Sequence, residues 1–118
     1  MCGKNYISPL ILDFIDATTI ADDTWTVFDT SGISDPCFML RITNYCPSTV
    51  LISFDGAIAH EVIPTNFGKF PESNSIEVYF QTNSSPSGYV SKIKKGTKIY
   101  VQGETAVSGY IYLAGYYN

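Results

Sequence analysis

The sequence predicts an all-β fold, a single antiparallel β-sandwich or jelly roll of about eight to nine short strands. Three observations lead there. Short runs alternate apolar and polar residues, the period of a half-buried strand. Gly, Pro, Asn and Asp interrupt those runs at roughly ten-residue spacing, the rhythm of sandwiches and small barrels. No long segment repeats apolar residues at i, i+3, i+4 and i+7, so helix is confined to one turn at most.

Each element follows from its residues. Tyr6 to Phe14 is mostly apolar but contains Pro9, which cannot donate to a ladder, so it reads as an edge strand. Ile15 to Ile20 is one helical turn or a loop. Asp23 to Phe28 alternates and places Trp25 and Val27 inward. Asp29 to Pro36 is a turn-rich connection. Phe38 to Thr43 is the clearest strand, with Phe38, Leu40 and Ile42 inward and Met39, Arg41 and Thr43 outward. Asn44 to Ser48, with Pro47, reads as a hairpin loop leading to inward Val50, Ile52 and Phe54. Asp55-Gly56 predicts a type I′ turn, with Ala57 to Ile63 as the returning strand.

Pro64 to Ser75 is a long loop. Ile76, Val78 and Phe80 then alternate with Glu77, Tyr79 and Gln81, and Thr82 to Gly88 is a polar tip. Lys98 to Gln102 places Ile99 and Val101 inward. Gly109 to Tyr117 places Ile111 and Leu113 inward and Tyr110, Tyr112 and Ala114 outward. With 118 residues, no internal repeat and no linker, the whole chain 1–118 reads as one domain, its first 36 residues an N-terminal strand and extension available for subunit contacts.

Composition excludes several classes. Hydrophobic residues make up 45% and the net charge is only −4, which argues against disorder and against nucleic acid as the main partner. No apolar run approaches the ~18 residues of a membrane helix. The first fourteen residues lack the basic start and small-residue cleavage site of a secretory signal. Three cysteines are too few for a disulfide scaffold. Cys37 and Cys46 flank a strand whose nine-residue span, roughly 30 Å if straight, keeps them apart. Cys2 could reach either one or a neighbouring subunit.

Chemistry is sparse. His60 is the only imidazole, and Glu61 beside it points to the opposite face of a strand. It reads as a surface or hydrogen-bonded residue. The carboxylates Asp13, Asp16, Asp22 and Asp23 lack calcium-loop spacing, no C-x-x-C exists for zinc, and no phosphate-binding glycine loop is present. Asn83-Ser84-Ser85 matches a glycosylation sequon and reads as a polar loop. No catalytic, metal or cofactor residues are therefore expected.

Surface features point instead to contacts. Tyr79, Tyr100, Tyr110 and Tyr112 fall on outward positions, where aromatic rings are costly in water and enriched at interfaces. They are either covered by another part of the chain or are subunit contacts. Lys92, Lys94, Lys95 and Lys98 form the one basic stripe. It reads as the protective lysines of an edge strand, or as a surface meeting the acidic first half of another copy.

The strand ends and turns also resemble a known group. LRITNYCPSTVLISFDG (Leu40 to Gly56), HEVIP (His60 to Pro64) and KKGTKIYVQGETAVSGYIYLAGYY (Lys94 to Tyr117) are similar to segments of small tailed-bacteriophage virion β-sandwich proteins. The last segment resembles their C-terminal hairpin. The resemblance spans residues 37–117 and implies capsid decoration, head–tail joining (neck), or a place in the tail or fibre. The first 36 residues carry no such likeness. The reading is a non-enzymatic structural protein of a phage virion, made in the host cytoplasm, with copies of itself and other virion proteins as partners. The alternative is a carbohydrate-binding, lectin-like module of a host-adhesion apparatus, using Trp25 and exposed tyrosines as stacking platforms.

Overall fold

The computed structural model describes residues 8–64, 76–81, 93–106 and 108–117, at 76–81 as backbone. The fold is the expected antiparallel β-sandwich. Its strands among the described residues are β1 (Ser8–Pro9), β2 (Asp13–Asp16), β3 (Thr26–Val27), β4 (Met39–Tyr45), β5 (Val50–Ser53), β6 (Glu61–Ile63), β7 (Ile76–Gln81), β8 (Tyr100–Gly103) and β9 (Tyr110–Tyr117). One sheet runs β1–β9–β4–β7, with β2 sharing the β1 side of β9; the other runs β3–β8–β5–β6.

The long strands β4 and β9 pair over seven residues, Met39 opposite Tyr116 through Tyr45 opposite Tyr110. Alternation sends Leu40 and Ile42 from β4, and Ile111 and Leu113 from β9, into the space between the sheets. Val50, Ile52 and Val101 meet them from the second sheet, and all seven are buried with Ile99. The sandwich also draws core residues from its connections: Ala17, Ile20, Ile33 and Ala106 are buried, as are Ile15 of β2, Cys37, Cys46 and Ile63. Ala17–Thr19 is the single 3-10 turn in the Ile15 to Ile20 stretch. Asp16 caps it, its Oδ1 accepting from the Thr18 amide at 2.9 Å and the Thr18 hydroxyl at 2.8 Å.

Several local expectations are corrected. Trp25 and Val27 are half-buried rather than core. Thr26 pairs with core Val101 and Val27 with Tyr100, so the apolar set of β3 lies on the outer face. Phe28 supplies the core contact instead. A one-residue offset exchanges every face of a strand, and a two-residue edge strand carries too little alternation to specify it. Phe38 and Phe54 are also half-buried, Phe54 packing on the margin of the core. The strand that follows the lysines, β8, is an inner one between β3 and β5, and residues 94–98 form a turn before it rather than an edge strand.

Asn44 to Ser48 is not a hairpin loop, because β4 and β5 lie in different sheets. Asn44 makes this corner and is fully buried. Its Nδ2 donates to the Ser48 carbonyl at 2.8 Å and the Ile63 carbonyl at 3.3 Å. Its Oδ1 accepts from the Cys46 amide at 3.0 Å and the Cys46 thiol at 2.9 Å. A buried amide that finds partners on every side holds the crossing in one geometry. Likewise β8 and β9 belong to opposite sheets, so the C-terminal segment is no hairpin.

The Asp55-Gly56 turn departs from type I′: Gly56 has φ +73, but no non-glycine residue has positive φ among those described. Side chains make the turn. The Ser53 hydroxyl accepts from the Asp55 and Gly56 amides, and Asp55 Oδ1 accepts from the Ala57 and Ile58 amides. These four bonds lengthen the loop, and the returning strand begins only at Glu61. Cys37 and Cys46 are buried at either end of β4 and are not joined in a disulfide, as their separation predicts. Burial, then the nearby Asp35 charge, push the Cys37 thiol up. Cys2, the 65–75 loop, the sequon, Lys92 and the side chains of Ile76 to Gln81 lie outside the described residues.

Candidate functional site

The outer face of the β2–β9–β4 region carries a continuous aromatic cluster. Tyr110 and Tyr112 point outward on β9 because Ile111 and Leu113 point in. Phe14 of β2 stands opposite Tyr112, and Tyr45 of β4 stands opposite Tyr110. Phe14 meets Tyr110, and Tyr45 meets Tyr112, each with centroids 5.7 Å apart and ring planes at 80°. Tyr110 and Tyr112 are 6.0 Å apart and link the two pairs. Such T-shaped contacts are favourable among aromatic rings. They do not cover the cluster: Phe14 is 57% exposed, Tyr45 47% and Tyr110 40%.

Of the four tyrosines singled out by alternation, the structure unites Tyr110 and Tyr112. Tyr79 stands opposite Arg41 on the outer strand β7 of the same sheet. Tyr100 is on the other sheet, opposite Val27 and Ser53, with its ring over Gly56. No single stripe joins all four, because the chain crosses the sandwich between β8 and β9. Phe14 and Tyr45 are members that the alternation argument passed over. Phe14 was hidden in a mostly apolar run, and Tyr45 in the supposed hairpin loop. The sequence Phe14-Ile15-Asp16 did carry the signal, since an inward Ile15 forces Phe14 outward.

Lys94, Lys95 and Lys98 are exposed around a turn. The Thr97 amide and hydroxyl both donate to the Lys94 carbonyl, the Gly96 amide donates to the Ile33 carbonyl, and the Ile33 amide donates to the Thr97 carbonyl. The lysines thus sit beside the loop bearing Asp29 and Asp35. Asp22, Asp23 and Glu104 are exposed at the opposite end of β8, where the Gly103 amide donates to the Ala21 carbonyl. The lysines and this acidic group therefore lie at opposite ends of β8, with Asp29 and Asp35 near the lysine end.

His60 and Asp55 make hydrogen bonds within the β5–β6 loop. His60 Nδ1 accepts from the Phe54 amide at 3.0 Å, and its Nε2 lies 3.9 Å from Asp55 Oδ2. Amide donors from Ala57 and Ile58, then the Ser53 hydroxyl, hold the Asp55 carboxyl below its ordinary range. Asp16 is lowered in the same way, by its Thr18 amide and hydroxyl. No group of three or more His, Cys, Asp or Glu side chains could hold a metal among the described residues. No helix among them is long and apolar enough to cross a membrane.

Comparison with family models, curated proteins and solved structures gives no match to this chain.

Proposed function

We propose that this chain is a non-enzymatic structural protein that assembles with copies of itself through the aromatic outer face of β2, β9 and β4. The carrying observation is the Phe14–Tyr110–Tyr112–Tyr45 cluster, four contacting rings of which three are substantially exposed. Burying such rings is favourable, and each hydroxyl still finds a polar partner at an interface. The separation of Lys94, Lys95 and Lys98 from Asp22, Asp23 and Glu104 along β8 supports a head-to-tail arrangement of copies. The resemblance of residues 37–117 to phage virion sandwiches supports a capsid, neck or tail setting for that assembly.

The test is native mass over a concentration series for wild type and the Tyr110→Ser/Tyr112→Ser variant, beside their thermal midpoints. Wild type should form oligomers or particles, and the variant should be mainly monomeric with a little-changed midpoint. Equal assembly of the two proteins, or a wild type that stays monomeric at its solubility limit, would overturn the reading.

One observation favours the carbohydrate-binding alternative. Trp25 is half-buried beside β3 and is not part of the core cluster. It is the only tryptophan, so its fluorescence reports any sugar stacking directly. A saturable change with soluble polysaccharide, abolished in Trp25→Ala, would support that reading over the first.

A further inference from the structure

A cleft of about 320 Å³ opens between the two sheets beside β2. Its origin lies in the edge-strand register. Pro9 pairs with Tyr116 and Asp13 with Leu113, so Leu10, Ile11 and Leu12 stand opposite Ala114 and Gly115 alone. One extra residue against the partner strand is a β-bulge, a device that bends an edge and re-aims side chains. Here it turns Ile11 into solvent, 94% exposed, and leaves Leu12 more than half exposed at the cleft mouth. The cleft walls are Phe28, Ile33, Ile99 and Leu113, and Asp13 and Asp29 also line it.

We infer that this cleft binds a monoalkylammonium ligand, a primary ammonium on an aliphatic chain, with the chain among the apolar walls and the ammonium between Asp13 and Asp29. The chemistry is complementary at both ends. Apolar walls at the open edge of a sandwich favour an aliphatic body, and a ligand there also covers Leu12. Each carboxylate accepts one backbone amide through Oδ1, Asp13 from Phe14 and Asp29 from Ser31. Neither is paired with Lys or Arg among the described residues. Two negative groups at one cleft repel each other and favour a cation between them. In agreement, burial raises the Asp13 carboxyl above its ordinary range; the Phe14 amide opposes this, and the Asp29 charge adds to it. A neutral alcohol of equal length meets the walls but not the charges, and methylammonium meets the charges but not the walls.

This inference is separate from the assembly reading, since the cleft lies between the sheets and the aromatic cluster on an outer face. The experiment is a titration of the full chain, followed by amide chemical shifts, with hexylammonium chloride, hexanol and methylammonium chloride. Hexylammonium should give saturable shifts at residues 10–13, 28–34 and 97–99, at least tenfold tighter than hexanol, with methylammonium giving none. Asp13→Asn and Asp29→Asn should each weaken hexylammonium about tenfold and leave hexanol unchanged. High salt should weaken hexylammonium alone, a result that holds even if a variant folds poorly. The Tyr110→Ser/Tyr112→Ser variant should bind as wild type does. Equal binding of hexanol and hexylammonium, salt-independent binding, or shifts confined to other residues would overturn the proposal.

Discussion

The two outer faces of the sandwich use tyrosine in opposite ways. On the first sheet, Tyr110 and Tyr112 join Phe14 and Tyr45 in a cluster that remains open to solvent. On the second, Tyr100 is half-buried and its ring closes over Gly56, above the turn that Ser53 and Asp55 organise. All three tyrosines occupy the same kind of outward strand position. Their different surroundings decide the outcome: neighbouring strands supply more rings in one case, and a seven-residue loop folds back beneath the ring in the other. An outward aromatic position is therefore open to a partner only where its own chain leaves it uncovered.

The comparison breaks most completely through the core that both sheets share. Leu40→Ala should cost about 2–5 kcal/mol by creating a cavity between them. Chemical denaturation would show this as a lower midpoint at unchanged slope. Asn44→Ala comes next. It removes the amide that fastens the crossing between sheets and strands the Cys46 amide, so about 2–3 kcal/mol should be lost. A loss under ~1 kcal/mol would show that the corner holds without it.

The tyrosines themselves sharpen the contrast. Tyr110→Ser with Tyr112→Ser should weaken association by about 2 kcal/mol or more while changing monomer stability less. Tyr100→Ser should do the reverse, lowering stability by about 1 kcal/mol and leaving association alone. Native mass and thermal midpoints, measured together, separate the two cases.

Each sheet also has its own carboxylate clamp, Asp16 at the end of β2 and Asp55 in the β5–β6 loop. Both carboxyls are depressed in the folded chain relative to the ordinary value of 3.8. A depressed acid adds stability above its unfolded value, and that stability is lost as pH falls through the folded value. Asp55→Asn should therefore be less stable than wild type at neutral pH, and the two should converge as pH drops below 3.8. Asp13 has the opposite sign, because its carboxyl is raised. Its neutral form fits the fold better, so Asp13→Asn should gain slightly on wild type above the folded value and lose that gain in acid. Thermal melts across pH would check both signs. The smallest effect belongs to His60→Ala, which removes one acceptor from the Phe54 amide at a half-exposed site and should cost about 0.5–1 kcal/mol.

Much of the architecture was legible because strand alternation is a local property. Leu40, Ile42, Val50, Ile52, Ile99, Val101, Ile111 and Leu113 were recognisable as core residues, and all are buried. Tyr110 and Tyr112 were recognisable as outward by the same rule. The rule failed at β3, where two residues of ladder could not overrule the assumption that Trp25 and Val27 point inward. It was also silent on core residues held in connections, such as Ile20 and Ile33, because loops have no period to read.

By itself, then, the sequence determined an all-β chain, the inward faces of its longer strands and the absence of a recognisable catalytic motif. These follow from side-chain period and residue type, which depend on near neighbours in the chain. Only the tertiary structure decided which strands became neighbours. The chain crosses from one sheet to the other at the β4–β5 corner and again between β8 and β9, so Tyr45 meets Tyr112 while Tyr100 is carried to the far side. The same is true of the cleft, where Asp13 and Asp29 line one space beside a bulged edge. Pairing partners are selected by burial summed over both sheets, a non-local quantity that no run of adjacent residues encodes.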